Sequence, residues 1–297
     1  MDMELRQLRY LMAVANTGNF TRAAETLYVT QSALSQQIQS LEQEVGTVLL
    51  DRSKRGTRLT AAGEILMQHA SRALHELEQA SLALRELEGL QRGELRVGVV
   101  QTVNAYLVPS LVTAFASRYP EVKLEIEELS ADEIEQGLIG GDLQVGISFL
   151  PPTNPALGHT ALFEERLVLV VRRDHPLAGQ AAVSAQALDD MPLIMLAKTF
   201  CTRRLWEASA KLASAQPRIV MEMNTVSGIL SVVAKTGIPT ILPHLILAEH
   251  HHADLVVVAL ENPTPSRQVG ILWHDGSFLC AASRAFIGIA QEIGGTN

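Results

Sequence analysis

From Glu4 to about Ala15 the apolar residues Leu5, Leu8, Leu11, Met12 and Ala15 repeat at helical spacing, and Asn16-Thr17-Gly18-Asn19 breaks the pattern. A short second helix is expected from near Thr21, with that residue as N-cap and Glu25 close behind. Tyr28-Val29 reads as a tight turn. Thr30 is then the cap of a third helix with the apolar face Ala33, Leu34, Ile38, Leu41 and Val45, ended by Gly46. Val48-Leu49-Leu50 and Arg58-Leu59 follow as two short strands around a tip bearing Gly56. A long helix is predicted from Thr60, an N-cap backed by Gly63 and Glu64. Within it Leu66, Ala70, Ala73, Leu77, Ala80, Leu84 and Leu87 alternate spacings of four and three. A strict heptad seam of this length calls for a partner helix, and its alanines let that partner approach closely. The reading is a dimerisation helix that also joins the N-terminal head to the rest; the plain alternative is an amphipathic helix on its own domain. Gln91-Arg92-Gly93 ends it.

Beyond this point strands and helices alternate, which signals βαβ units and a mostly parallel sheet. Strands are expected at Leu95–Val100, Val122–Glu127 and Leu143–Ile147, with helices at Tyr106–Arg118 and, capped by Ser130, at Ala131–Ile139. Pro151-Pro152-Thr153-Asn154-Pro155 marks a boundary. A second set starts at Leu167–Val171 and continues through Leu193–Leu196, a helix near Thr202–Leu212, Ile219–Met223, a helix opening at Asn224-Thr225, Thr240–Leu242 and Leu255–Leu260. After Asn262-Pro263-Thr264-Pro265, the strand Gln268–Trp273 and a helix to about Ile293 complete the chain. Two proline-rich crossings around an inserted α/β block predict two lobes joined by two strands. The expected class is therefore α/β multidomain. Its parts are a winged helix-turn-helix at 1–60, a linker or dimerisation helix at 61–92, and a two-lobed α/β domain at 93–297. In that domain lobe I is 93–150 with 268–297, and lobe II is 162–263.

Charge changes the picture only when it is divided along the chain. The 297 residues carry a formal −8, which as a mean argues against a nucleic-acid binder. Through Arg92, however, there are 10 Lys+Arg against 11 Asp+Glu, so the remainder holds −7. Thr26–Leu41 contains no charge at all, and Arg52–Arg58 holds four cations without an acid. The third helix thus offers Gln31, Ser32, Ser35, Gln36 and Gln39, side chains that can donate to and accept from base edges without repelling phosphate. The cations of the adjacent wing suit the phosphate backbone. Candidate DNA contacts are Arg22, Thr30, Gln31, Ser32, Ser35, Gln36, Arg52, Lys54 and Arg55.

These residues resemble the LysR-type transcriptional regulators. The likeness rests on Leu8-Arg9-Tyr10-Leu11, Gly18-Asn19-Phe20-Thr21-Arg22-Ala23-Ala24, the run Leu27 to Ile38, Leu41-Glu42, Gly46, Asp51-Arg52 and Leu59-Thr60-Ala61-Ala62-Gly63. Ser32, Gln39 and Leu50 stand where that family often has Pro, a basic residue and Phe. The downstream part is similar to the regulators of cyanate and aromatic-acid catabolism. The resemblance implies a periplasmic-binding-protein-like effector domain and a homodimer or homotetramer that bends promoter DNA. Its implied partners are double-stranded DNA, a small anionic metabolite and RNA polymerase as a further candidate.

In a two-lobed layout the ligand lies beyond the strand ends, where helix starts and loop hydroxyls point. The candidates there are Thr102, Asn104, Ser130, Ser148, Phe149, Thr199, Phe200, Cys201, Thr202, Asn224 and Thr225. Plain helix capping is the alternative for each; together they suit a small anion. No nucleophile elbow, phosphate loop, zinc-protease motif or dinucleotide fingerprint occurs, so neither an enzyme nor a cofactor is expected. His250-His251-His252 point in different directions on a helix end and read as a solvated terminus, and no metal site is expected. Cys201 sits beside Arg203 and Arg204, which leaves open a redox sensor with Cys280 as its partner. That sensor, or an enzyme-like α/β protein whose head serves assembly, is the alternative function. No apolar stretch is long enough to span a membrane, and Met1-Asp2-Met3-Glu4-Leu5-Arg6 lacks a signal-peptide core, so a cytoplasmic location is expected.

Overall fold

The computed structural model describes residues 3–53, 56–87, 93–249 and 252–295. The chain divides into two compact units, Met1–Arg85 and Glu86–Asn297. In the first, α1 (Leu5–Thr17), α2 (Phe20–Thr26) and α3 (Gln31–Val45) pack around Leu11, Val14, Ala23, Leu34, Ile38 and Leu41, all fully buried. The N-cap of α2 is Asn19 and not Thr21: the Asn19 Oδ1 accepts from the backbone N–H of Thr21 and of Arg22 at 2.8 and 3.2 Å. An Asn side chain reaches two orphan donors at once, and Phe20 rather than a polar residue opens the helix. Thr30 caps α3, accepting from the Ala33 N–H at 3.2 Å, and Gly46 ends it at φ 76°. Ala33 is exposed, so the apolar stripe of α3 is narrower than its spacing suggests.

The strands β1 (Leu50–Ser53) and β2 (Gly56–Leu59) pair antiparallel with Leu50 opposite Leu59 and Arg52 opposite Thr57. Hydrogen bonds to Glu42 and to Gly18 help hold this wing to the helices. The Glu42 carboxylate accepts from the N–H groups of Leu49 and Leu50 at 2.8 and 3.2 Å, and the Thr57 N–H donates to the Gly18 carbonyl at 3.1 Å. α4 (Ala61–Leu87) is capped by Thr60, whose Oγ1 accepts from Gly63 at 3.1 Å and donates to the Val48 carbonyl at 2.8 Å. A Cβ on Gly63 would stand 2.1 Å from the Leu49 carbonyl oxygen, so the close approach of α4 to the wing requires glycine there.

The second unit begins with β3 (Gly93–Val100), α5 (Gln101–Tyr106), α6 (Val108–Arg118), β4 (Val122–Leu129), α7 (Ala131–Gly140) and β5 (Val145–Leu150). Residues 101–104, expected as loop, are thus helix directly on the strand end. β6 (Leu157–Arg172) follows, then β7 (Ala182–Ser184), β8 (Pro192–Leu196), α8 (Cys201–Leu212), β9 (Arg218–Met223), α9 (Val226–Thr236), β10 (Thr240–Pro243) and α10 (Ile246–Glu249). β11 (Leu255–Glu261), β12 (Ser266–His274) and α11 (Ala281–Gly294) end it.

β6 is one long strand where a strand from Leu167 was expected. Residues 157–166 pair with β12 in one lobe, and residues 167–172 pair with β10 and β11 in the other. The charges Glu164-Glu165-Arg166 interrupt the apolar run and conceal this continuity. The sheet is mixed and not mostly parallel. β4-β3-β5 and β10-β8-β9 are parallel within their lobes, but β6 and β12 run antiparallel to their neighbours as the two crossing strands. A strand that leaves one lobe to enter the other has to reverse relative to the βαβ strands it joins.

Candidate functional sites

In the first unit most of the candidate DNA contacts lie on or beside α3. Arg22, Thr30, Gln31, Ser32 and Gln36 are exposed and Ser35 is half-buried. Thr30 has a structural duty as well, since its hydroxyl is the α3 cap and lies 3.2 Å from Ser32 Oγ. Arg52 lies on β1, while Lys54 and Arg55 fall outside the described residues. On α4 the seam divides. Leu66 packs on the head core, and Ala70, 2 % exposed, packs with Leu8 and Leu74 of the same chain. Ala73, Leu77, Ala80 and Leu84 are exposed, Leu77 and Leu84 at 47 % and 65 %. The side chain of Leu87 lies outside the described residues.

In the second unit a cavity of about 260 Å3 opens between the lobes. Lobe I contributes Thr102, Ser130 and Phe149 of the expected residues, and lobe II contributes Thr199, Phe200, Cys201 and Thr202. Asn104, Ser148, Asn224 and Thr225 do not line it. Asn104 Nδ2 donates to Glu128 Oε2 at 3.0 Å, Ser148 is buried on β5 opposite Gly270, and Thr225 occupies the N-cap of α9. Asn224 takes part through its backbone, its carbonyl accepting from Gln101 Nε2 across the lobes.

The two long helices that open on the cavity end differently. Ser130 and Glu133 form a closed capping box on α7, with the Ser130 N–H donating to Glu133 at 2.8 Å and the Glu133 N–H to Ser130 Oγ at 3.3 Å. The hydroxyl and N–H of Ser130 hold the Glu133 carboxyl below its ordinary pKa, so it stays ionised at the cavity rim. No side chain caps α8, whose N-cap is Phe200. Its first turn therefore presents free N–H groups and the positive end of the helix dipole to the cavity.

Behind the lining lies a buried network that alternation alone conceals. Glu165 on β6 is fully buried; its carboxylate accepts from the Tyr106 hydroxyl at 2.6 Å and from Arg267 on β12 at 2.5 Å. Burial chiefly, and then the charge of Glu165, push the Tyr106 phenol far above its ordinary pKa, so it remains the donor. Arg267 Nη2 donates to Thr202 Oγ1 at 2.9 Å and to Thr102 Oγ1 at 3.3 Å, one threonine from each lobe. Its guanidinium carbon lies 3.4 Å from the centre of the Phe149 ring. Glu165 stands between Glu164 and Arg166 in the sequence, so nothing there marks it as the inward-facing charge.

Cys201 is half-buried at the start of α8, where Arg204 Nη2 donates to its Sγ at 2.9 Å. Cys280 is buried as the N-cap of α11, accepting from the Ser283 N–H at 3.4 Å, and both thiols are free. His250 and His251 fall outside the described residues. Among the described residues no three His, Cys, Asp or Glu side chains group as metal ligands, and no helix is long and apolar enough to cross a membrane.

Residues 5–64 match the family model for bacterial regulatory helix-turn-helix proteins of the lysR family, and residues 88–294 match the LysR substrate binding domain. The Hca operon transcriptional activator HcaR of Escherichia coli is 33 % identical over 295 residues, covering 98 % of each chain. The RuBisCO operon transcriptional regulator of Allochromatium vinosum is 31 % identical over 288 residues, covering 96 % of this chain and 95 % of that one. A full-length OxyR variant from Pseudomonas aeruginosa superposes with a TM-score of 0.78 at 28 % identity, covering 99 % of this chain and 95 % of the other.

Proposed function

Because the chain belongs to the LysR family of DNA-binding transcriptional regulators, which are not enzymes, we propose that it reads a promoter with α3 and the wing and answers to a small anionic effector bound between the lobes of its second unit. The observation that carries this reading is the cavity of about 260 Å3 lined from both lobes, with the uncapped start of α8 facing it. A ligand touching both lobes favours one lobe arrangement over another only through contacts that differ between them. The exposed amides of Gln31 and Gln36 can pair with base edges, and the cation Arg52 on β1 supports a phosphate contact from the wing.

The exposed part of the α4 seam, Ala73 to Leu84, supports pairing with a second copy, and two such pairs would give the tetramer that the family resemblance implies. Two heads then read half-sites one helical turn, ~34 Å, or a multiple of that apart. The proposed partition is a head at 1–60, the linking helix at 61–92 and the effector domain at 93–297, acting in the cytoplasm where the promoter is. Nuclease footprinting on the DNA upstream of the protein's own gene, with and without small carboxylic acids, tests the reading. The expected result is a protected site whose pattern changes with one of the acids; protection without sequence preference would overturn it.

A further inference from the structure

We propose that His244 is a pH-sensitive clasp at the point where β6 passes from one lobe to the other. The proposal concerns the frame of the second unit and stands apart from whatever occupies the cavity.

β6 and β10 pair antiparallel, with Thr240 opposite Val170, Ile241 opposite Leu169, Leu242 opposite Val168 and Pro243 opposite Leu167. The next residues in that register are His244 and Arg166, and Arg166 is also the residue at which the pairing of β6 with β12 ends. Residues facing one another at such a position exchange two backbone bonds in a regular antiparallel ladder. The first is present, the His244 N–H donating to the Arg166 carbonyl at 2.9 Å. The second is made by a side chain: the Arg166 N–H donates to Nδ1 of the His244 ring at 3.2 Å. A titratable group thus closes the ladder at the residue where the strand changes lobes.

The Arg166 N–H can only donate, so in this arrangement Nδ1 carries no proton and the ring is neutral with its hydrogen on Nε2. Taking up a proton from solvent places a hydrogen on Nδ1 and turns it from acceptor to donor. The Arg166 carbonyl, 3.3 Å away, can receive that hydrogen, and the Arg166 N–H is left without its acceptor. β6 is therefore tied to lobe II at its crossing point by two bonds when the ring is neutral, and its N–H is released when the ring is charged. The charged side chains beside the ring are Glu164 and Arg166, which pair with each other at 3.5 Å. Ser266 chiefly, and then Arg166, hold the Glu164 carboxyl below its ordinary pKa, so a cationic ring meets one carboxylate and one guanidinium. β8, β10 and the stretch 262–265 carry no titratable side chain, and α10 carries only Glu249, its last residue. On β12 Arg267 is engaged with Glu165, as is Tyr106 on α5.

The test is hydrogen exchange of the full-length protein, read by mass spectrometry at single residues and corrected for the intrinsic rate at each pH. Between about pH 8 and about pH 5.5, a span across which histidine titrates, protection of the Arg166 amide is expected to fall about tenfold while residues 168–171 keep theirs. In His244→Asn the side-chain oxygen takes the place of Nδ1 and cannot be protonated, so protection of Arg166 should be the same at both pH values. In His244→Ala it should be low at both. The wild-type comparison of Arg166 with 168–171 decides by itself should a variant fold poorly. Unchanged protection of Arg166 in the wild type would overturn the proposal, as would an equal fall across 164–171. The same loss in His244→Asn as in the wild type would assign the titration to another group and overturn it too.

Discussion

The reading helix and the interlobe cavity are both built from amides and hydroxyls, but they hold them in opposite ways. On α3 the side chains of Gln31, Ser32 and Gln36 stand in solvent, while the helix is kept in place by Leu34, Ile38 and Leu41 beneath them. Around the cavity Thr102 and Thr202 are 3 % and 2 % exposed and are bonded through Arg267 to one another's lobes. The groups proposed to meet DNA are thus separable from the stability of their unit, and the groups behind the cavity are part of it. Substitution should therefore cost folding in one place and recognition in the other.

The largest effect is expected at Arg267. Arg267→Met leaves the Glu165 carboxylate fully buried with only the Tyr106 hydroxyl for a partner, a loss of roughly 3–5 kcal/mol of the kind seen when one member of a buried pair is removed. Urea unfolding of the full chain reads this as an earlier transition of the second unit, and Arg267→Met with Glu165→Met should recover much of it. A cost below about 1 kcal/mol for the single variant would place the network with exposed ion pairs and remove the contrast with α3. In the head the equivalent sensitivity lies in backbone packing. Gly63→Ala puts a methyl group against the Leu49 carbonyl and should cost roughly 1–3 kcal/mol, read as a lower melting temperature of the head. Thr30→Ala removes the α3 cap and should cost about 1 kcal/mol, with Thr30→Ser retaining most of the stability.

The same difference explains what could be read from the chain before its structure was known. The head is local. Its capping by Thr30, its Gly46 stop and its uncharged face lie within one run of sequence, and a periodicity of 3.6 is enough to sort exposed from buried positions. Even there, the choice of Asn19 over Thr21 as a cap turned on two residues of register. The cavity draws on four separate stretches, and helix starts located most of it, because hydroxyls at such positions are visible in sequence. Gln101 lies with Thr102 in a candidate segment that was expected as a loop and folds as helix. Glu165 and Arg267 were hidden because β6 carries three adjacent charges of which the middle one faces inward, and only pairing with β12 reveals which. The meaning of Ser130, a closed cap, as against Thr199–Thr202, an open helix start, also depends on hydrogen bonds that sequence does not display.

The smallest effect on folding should accompany the largest on recognition. Gln31→Ala with Ser35→Ala is expected to change the unfolding free energy of the head by less than about 1 kcal/mol, since Gln31 is exposed and Ser35 only half-buried. The same pair should abolish the preference for the promoter site over unrelated DNA in competition gel shifts, because base-edge contacts carry the sequence information. Arg52→Ala should instead weaken binding to both DNAs alike and reduce the slope of log affinity against log salt by about one per head, the mark of a lost phosphate contact. If the double variant kept its site preference, α3 would be a scaffold for some other reader. If Arg52→Ala altered preference and left the salt slope unchanged, the wing would be reading bases, and the division of labour between helix and wing would have to be reversed.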